Sequence, residues 1–324
     1  MPDFDADLLI IGAGPAGLTA AQYGARANLK TLAAEKLAYG GQALIIDVLE
    51  NYPGNMGISD ADGKIISSPK SGYEFAMDLQ RQAELFGAFF YSGEVLSIKK
   101  ENNYFLAVFS GGETKKAASV IIATGSKPRL LGIPGEKEFT GKGVSYCATC
   151  DGAFYRNKKV FVIGGGDAAC DEARYLSRLT NRITLVHRRN SFRAQKSLAL
   201  RTLENPNIKV CFNTVIEEIK GDKKVKAVVL KDVTSGQVYE EETDGVFIFA
   251  GTVPQTSLVL GGDFSVKLDK DGYIITDQKM AASISGLFAA GDVRSGAFRQ
   301  VVTAAADGAV AARSAAEYID DLFY

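Results

Sequence analysis

The sequence predicts an α/β protein of two three-layer units, each built on a parallel sheet, with the second unit inserted into the first. Three observations predict it. Short apolar runs enter glycine turns twice: Asp7–Ile11 leads into Gly12-x-Gly14-x-x-Gly17, and Lys159–Ile163 leads into Gly164-x-Gly166-x-x-Ala169. A stretch of helical composition follows each turn, and strand, tight glycine turn and helix together make a Rossmann-like dinucleotide-binding unit. Two further apolar runs, Ala118–Gly125 and Asp244–Gly251, end in glycine and pass into segments with Pro128 and Pro254 and no periodicity, so the chain crosses between units twice. The expected domains are 1–125 with 253–324, discontinuous, and 126–252, inserted. A chain of 324 residues suits two domains and exceeds one compact α/β unit.

Composition narrows the function classes. With 46% hydrophobic and 23% charged residues the balance is that of a globular protein. A formal net charge of −1 leaves no electrostatic footprint for nucleic acid or an anionic membrane. No apolar run approaches the length of a membrane span. Met1-Pro2-Asp3-Phe4-Asp5 is acidic and runs straight into the first strand, without the basic start of a signal peptide. The expectation is a cytoplasmic protein, where a cycling disulfide is more plausible than a permanent one.

In chain order, the first turn assigns a task to each glycine. Gly12 permits the tight turn, Gly14 lets backbone approach a pyrophosphate, and Gly17 lets helix and strand pack closely. Leu18–Arg26 has helical composition, and the helix N-terminus then faces the phosphates. Thr31–Ala34 is a second strand ending at Glu35, an acid suited to the hydroxyls of an adenosine ribose. Turns follow at Tyr39–Gln42 and Asn51–Gly54, and Ile58 to Gly72 reads as a polar surface loop. Glu74–Phe86 is an amphipathic helix with Phe75, Leu79, Ala83 and Phe86 on its apolar face. Gly93 to Ser110 alternates as strand, with a hairpin signal at Gly111-Gly112.

Cys147-Ala148-Thr149-Cys150-Asp151 precedes the second glycine turn. Such a pair closes a disulfide or contributes half of a zinc site. No second pair exists; Cys170, Cys211 and the single histidine, His187, stand apart, so no metal is expected and redox use is favoured. Cys170 and Cys211 read as inert buried thiols. The strand after the second turn, Arg182–Val186, ends in His187-Arg188-Arg189, with Arg193 close behind, where the first unit has Glu35. Guanidinium groups in place of an acid select a 2′-phosphate, hence NADPH over NADH. Lys223 to Tyr239 is a hairpin turning at Ser235-Gly236. Near the C-terminus a strand ends at Gly291-Asp292, and Arg299-Gln300 opens a helix of small residues from Val301 to Ile319.

Gly12-Ala13-Gly14-Pro15-Ala16-Gly17, Cys147–Asp151, Gly164-Gly165-Gly166-Asp167, His187-Arg188-Arg189 and Gly291-Asp292 together resemble the low-molecular-weight, bacterial-type thioredoxin reductases. The resemblance covers essentially the whole chain and keeps the motif order, with the cysteine pair inside the second domain. It implies FAD on the first domain, NADPH on the second, a homodimer, and thioredoxin as protein substrate. Carried onto this sequence, FAD would be held by Gly12, Gly14, Pro15, Ala16, Gly17, Glu35, Gly41, Gln42, Asn51, Thr124, Gly125, Gly291, Asp292, Arg299, Gln300 and Val301. NADPH would be held by Gly164, Gly166, Asp167, Ala168, His187, Arg188, Arg189 and Arg193. By resemblance Cys150 meets the flavin, Cys147 attacks the thioredoxin disulfide, and Asp151 is the acid/base. The loop from Ile58 to Ser71 looks longer than the family's usual connection.

Rival expectations are separable. The flavoprotein of a peroxide-reducing system carries an extra N-terminal thioredoxin-like region. Ferredoxin–NADP reductases of similar architecture lack the cysteine pair. Relatives fed by donors other than NADPH lose the arginine cluster. A glutaredoxin-like partner or a peroxiredoxin system is the alternative destination for the electrons. A flavin-bound sensor without turnover is the non-enzyme alternative.

Overall fold

The computed structural model describes residues 4–46, 48–49, 51–55, 69–260 and 264–323. The expected long loop from Ile58 lies outside the described residues as far as Ser68. Two compact units emerge, Met1–Lys127 with Val253–Tyr324, and Pro128–Thr252.

The first unit starts with β1 (Ala6–Ile11), α1 (Pro15–Arg26) and β2 (Thr31–Glu35). After α2 (Gly72–Leu85) come β3 (Phe89–Ser92), β4 (Val95–Glu101), β5 (Tyr104–Phe109) and β6 (Thr114–Ile122). Crossing strand β7 (Ser126–Pro128) ends this half.

The second unit contains β8 (Val144–Ser145), α3 (Ala148–Asp151), β9 (Val160–Ile163), α4 (Asp167–Leu176), β10 (Ile183–Val186), α5 (Lys196–Leu203) and β11 (Ile208–Cys211). It continues with β12 (Thr214–Gly221), β13 (Val225–Asp232), β14 (Val238–Glu242) and β15 (Gly245–Ile248). The returning crossing is β16 (Thr252–Pro254), which pairs with β7. The first unit then finishes with α6 (Ser257–Leu260), β17 (Leu287–Ala289) and α7 (Val301–Phe323).

The first sheet runs β3-β2-β1-β6-β5-β4, with β17 also on β6. Its pairs β1–β2, β2–β3, β1–β6 and β17–β6 are parallel, and β4–β5 and β5–β6 antiparallel. Strand alternation builds the layers, because successive side chains point to opposite faces. Leu8 and Ile10 join Ala16, Ala20, Ala304 and Ala311 of α1 and α7 on one side. Leu9 and Ile11 join Ile98, Phe105 and Phe109 on the other.

In the second unit β11-β10-β9-β15-β8 form a wholly parallel sheet. Val160 and Val162 pack with Ala169, Ala173 and Leu176 of α4. Phe161 and Ile163 pack on the antiparallel meander β12-β13-β14 through Ile216, Val228 and Leu230. The second unit is therefore three-layered, and in the first α1 and α7 pack on one side of the sheet while Leu258 and Val259 of α6 join the core on the other.

Several local expectations change. Gly93 to Ser110 is two strands, because Asn102 at φ +47° turns the chain between β4 and β5. Asparagine tolerates that left-handed conformation better than most residues. α2 begins before Glu74: Ser71 Oγ accepts the Glu74 N–H at 3.1 Å and Glu74 Oε2 accepts the Ser71 N–H at 2.9 Å, a capping box. Phe86, expected in the core, is exposed at the helix end with the Arg26 guanidinium 4.8 Å from its ring centre. Cys211 is half-buried where a buried thiol was expected, because it ends an edge strand; Cys170 is buried. Burial pushes both thiols up, which keeps them un-ionised at neutral pH.

Candidate active site

The cysteine pair lies on the one-turn helix α3. Cys147 is its N-cap, and the Cys150 N–H points at Cys147 Sγ, 3.2 Å away. The geometry of one turn brings the two Cα atoms to 5.3 Å, and the sulfurs form a disulfide. Thr149 Oγ1 stands 3.4 Å from Cys147 Sγ. Both cysteines and Asp151 are half-buried. Gly152 beyond them is buried, and a Cβ there would come within 3.0 Å of Leu176, so the turn sits directly against α4. Tyr155 packs edge-on to Phe247, its hydroxyl pushed up to about 12 by burial and by the charges of Asp151 and Asp244.

One sequence-silent residue organises this turn. Ser145, buried at the end of β8, donates its hydroxyl to Asp151 Oδ2 at 2.6 Å, and Ser145 Oγ accepts the Cys147 N–H at 3.1 Å. Its only sequence signal is a hydroxyl two residues before the pair.

At the first glycine turn, Gly12 adopts φ +101°, and a Cβ on Gly17 would lie 1.8 Å from the Gly12 carbonyl oxygen. Helix and turn therefore touch, as expected for this fingerprint. Gly14, the N-cap of α1, carries no side-chain cap, so the helix N-terminus presents free polarity. Gly41 faces Gly14 across a gap that a Cβ on Gly41 would close to 3.1 Å, a cradle kept clear of side chains. Glu35 holds the rim: its Oε2 accepts the Ala13 N–H at 2.9 Å and its Oε1 the Leu37 N–H at 3.0 Å.

Residues far apart in sequence converge here. Asn51 Nδ2 donates to Gln300 Oε1 at 3.0 Å. Gln42 Nε2 donates to the Ser126 carbonyl at 2.6 Å, beside Gly125. Thr124 Oγ1 donates to the Gln255 carbonyl at 2.6 Å. A Cβ on Gly291 would meet the Ala16 methyl at 2.9 Å, which places the Gly291-Asp292 turn against the start of α1. Burial pushes the Asp292 carboxyl up to about 6; the Arg299 guanidinium pulls it back and Asp307 adds to the push. Arg299 stacks over Tyr273 at 4.8 Å, and Val301 opens α7.

Asp307 and Arg294 escaped the sequence. Asp307 is buried, pairs with Arg294 through both carboxylate oxygens, and accepts the Gly291 N–H at 3.1 Å. The available signal was an acid set among the small residues Ala304–Ala312 in the first half of α7.

At the second glycine turn, His187 packs directly over Gly165, where a Cβ would fall 2.2 Å from Nδ1. The His187 ring is buried, and its Nε2 has no hydrogen-bond partner among the described residues. Burial and the guanidiniums of Arg193, Arg189 and Arg188 hold the imidazole below its ordinary pKa, so it stays neutral. Those three arginines are exposed around it. The Arg193 N–H donates to the Gly165 carbonyl at 2.7 Å, tying the arginine loop to the turn. Gly164 opens the turn at φ +154°, and Gly166 caps α4 with open space where a Cβ would stand. Asp167 Oδ1 accepts the Gln195 N–H at 2.7 Å, and Ala168 lies in the first turn of α4.

Two clear cradles, a buried carboxyl with a raised pKa and an orphaned buried imidazole nitrogen fit one hydroxyl-rich dinucleotide per unit. Exposed guanidiniums fit a phosphorylated ribose on the second.

Comparison with known proteins agrees with this geometry. The family model described as pyridine nucleotide-disulphide oxidoreductase matches residues 6–308. A thioredoxin reductase of Treponema pallidum (strain Nichols) is 53% identical over 318 residues, 98% of each chain. One from Peptoclostridium litorale is 45% identical over 323 residues, again 98% of each chain. The crystal structure of a thioredoxin reductase from Streptococcus pyogenes MGAS5005 superposes with a TM-score of 0.85 at 42% identity, covering 98% of both chains. With its motifs, fold and near-complete length all shared, the chain belongs to the pyridine nucleotide-disulphide oxidoreductases, in the thioredoxin reductase family.

Proposed function

We propose that this protein is an NADPH-dependent, FAD-containing thioredoxin-disulfide reductase, acting as a cytoplasmic homodimer. The observation that carries this is the Cys147–Cys150 disulfide on a unit that also holds a glycine turn ringed by arginine. FAD held by the first unit would supply two-electron redox chemistry between the nicotinamide and the disulfide.

The chain's own residues do the rest. Gly12, Gly14 and Gly17 bring backbone to a pyrophosphate, and Glu35 and Asp292 meet sugar hydroxyls. Arg188, Arg189 and Arg193 grip the 2′-phosphate, and neutral His187 adds its unused nitrogen without adding charge. The Cys150 N–H and the Thr149 hydroxyl converge on Cys147 Sγ, where they favour a thiolate once the disulfide opens. Cys147 then attacks the thioredoxin disulfide, and Cys150 resolves the mixed disulfide. Asp151 takes and returns the proton.

The second unit carries both the dithiol and the nucleotide site, so each must reach the flavin in turn. The paired crossings β7 and β16, flanked by Gly125 at φ +69° and Gly251 at φ +103°, are the hinge. Cys150→Ser tests the assignment. Flavin bleaching by NADPH persists in this variant while thioredoxin reduction falls to background. A variant that turns over thioredoxin normally overturns it.

A further inference from the structure

We propose that Ser145 is a positioning residue for the proton transfer that accompanies thiol–disulfide exchange, an inference that rests on the reductase reading above. Its hydroxyl is buried, and buried hydroxyls use both donor and acceptor capacity. The Cys147 N–H anchors Oγ at 3.1 Å from the protein side. The single hydroxyl proton then has two acceptors, Asp151 Oδ2 at 2.6 Å and the Cys147 carbonyl at 3.2 Å.

Those two acceptors match the two protonation states of Asp151. When Asp151 is ionised, the hydroxyl donates to the carboxylate, the shorter and charge-assisted bond. When Asp151 carries a proton, its O–H donates to Ser145 Oγ, and the hydroxyl proton turns to the Cys147 carbonyl. No heavy atom moves between the states, and neither leaves a polar group unpaired. The carboxyl is thereby held to the backbone of Cys147 throughout the exchange.

The step it serves is balanced. In the mixed disulfide the Cys150 thiol gives its proton to Asp151 and its sulfur bonds to Cys147 Sγ. The bond between Cys147 Sγ and the thioredoxin sulfur breaks, and the departing thiolate takes the proton from Asp151. One dithiol is oxidised and one disulfide reduced.

Asp151 and Asp244 both act electrostatically on the Tyr155 hydroxyl, and Cys147 and Cys150 are Asp151's neighbours in the same turn. Tyr155 stays protonated below about pH 10, being pushed up to about 12. A profile that moves at lower pH is therefore not that of Tyr155.

The test uses holoenzyme reduced, freed of reductant and mixed with oxidised thioredoxin in a single turnover, from about pH 5 to about pH 9. Ser145→Ala moves the ascending limb of the rate profile up by about one pH unit, the size of a lost charge-assisted bond. Ser145→Thr keeps the wild-type limb. Ser145→Cys preserves volume with a weak donor and moves as Ser145→Ala does. In an Asp151→Asn background Ser145→Ala changes nothing further. An unmoved limb in Ser145→Ala or Ser145→Cys, or an equal loss in the Asp151→Asn background, overturns the proposal while the reductase reading stands. Wild-type protein that fails to exchange with thioredoxin overturns both.

Discussion

Asp292 holds its charge against burial. Its carboxyl titrates near 6 in the folded chain against 3.8 for an unperturbed aspartate, so between those values the folded state binds the extra proton. The stability this confers is present below about pH 4 and lost as pH rises through about 6. Asp292→Asn removes the loss. Flavin-free Asp292→Asn protein is expected to be more stable than wild type at neutral pH, by at most about 3 kcal/mol, the full worth of that pKa difference. Urea unfolding of both at low and neutral pH checks it, and an unchanged pH slope in the variant counts against this account. The arginines make a second prediction at this scale. Ala at Arg188 and Arg189 together raises KM for NADPH by about tenfold or more, since each charge-assisted bond is worth about 1.5–3 kcal/mol. KM for NADH stays where it was, and steady-state kinetics with both nucleotides decide. The sequence singles out these positions because each stands just past the end of a strand. It does not single out Ser145, because a serine in a strand looks the same whether its hydroxyl meets solvent or Asp151.

Among elements, the junction of β17 and α7 shows what pattern reading misses. Gly291-Asp292 is a visible motif, but its hold is the Arg294–Asp307 pair, whose acid lies on α7 sixteen residues past Gly291. Side-chain exposures of 19% and 8% mark it as a pair taken largely out of water. Removing one partner strands the other, at a cost of about 3 kcal/mol or more. Asp307→Ala is expected to lose that much in chemical unfolding and to release flavin on dilution faster than wild type. Full stability with full flavin retention would show that the turn holds itself. Strand existence was readable wherever apolar runs were continuous, as in Leu8–Ile11 and Val160–Ile163. The β4–β5 turn was not, because Asn102-Asn103 sits inside one unbroken alternation and carries no glycine or proline. Likewise the start of α2 depends on Ser71 and Glu74 reaching each other, a contact outside any apolar period.

At the scale of the molecule, two fingerprints and two proline-containing crossings raise the expectation of one unit inserted into another, and the chain divides into compact units at Lys127–Pro128 and Thr252–Val253. The layers followed from strand alternation: adjacent residues of β1 and of β9 feed opposite cores in each unit. The separate meander β12-β13-β14 was only half legible, since the turn at Ser235-Gly236 announces one hairpin and nothing announces the strand before it. Similar layers thus carry different chemistry at their strand ends, an acid in the first unit and arginines with a dithiol in the second. The central claim is that electrons pass from NADPH through a flavin to Cys147–Cys150 and on to thioredoxin. Flavin absorbance of the anaerobic holoenzyme tests it most directly. The account predicts bleaching by NADPH and far less by NADH. It then predicts recovery on adding oxidised thioredoxin in wild type, and none in Cys150→Ser. Equal bleaching by NADH, or recovery in Cys150→Ser, would contradict it.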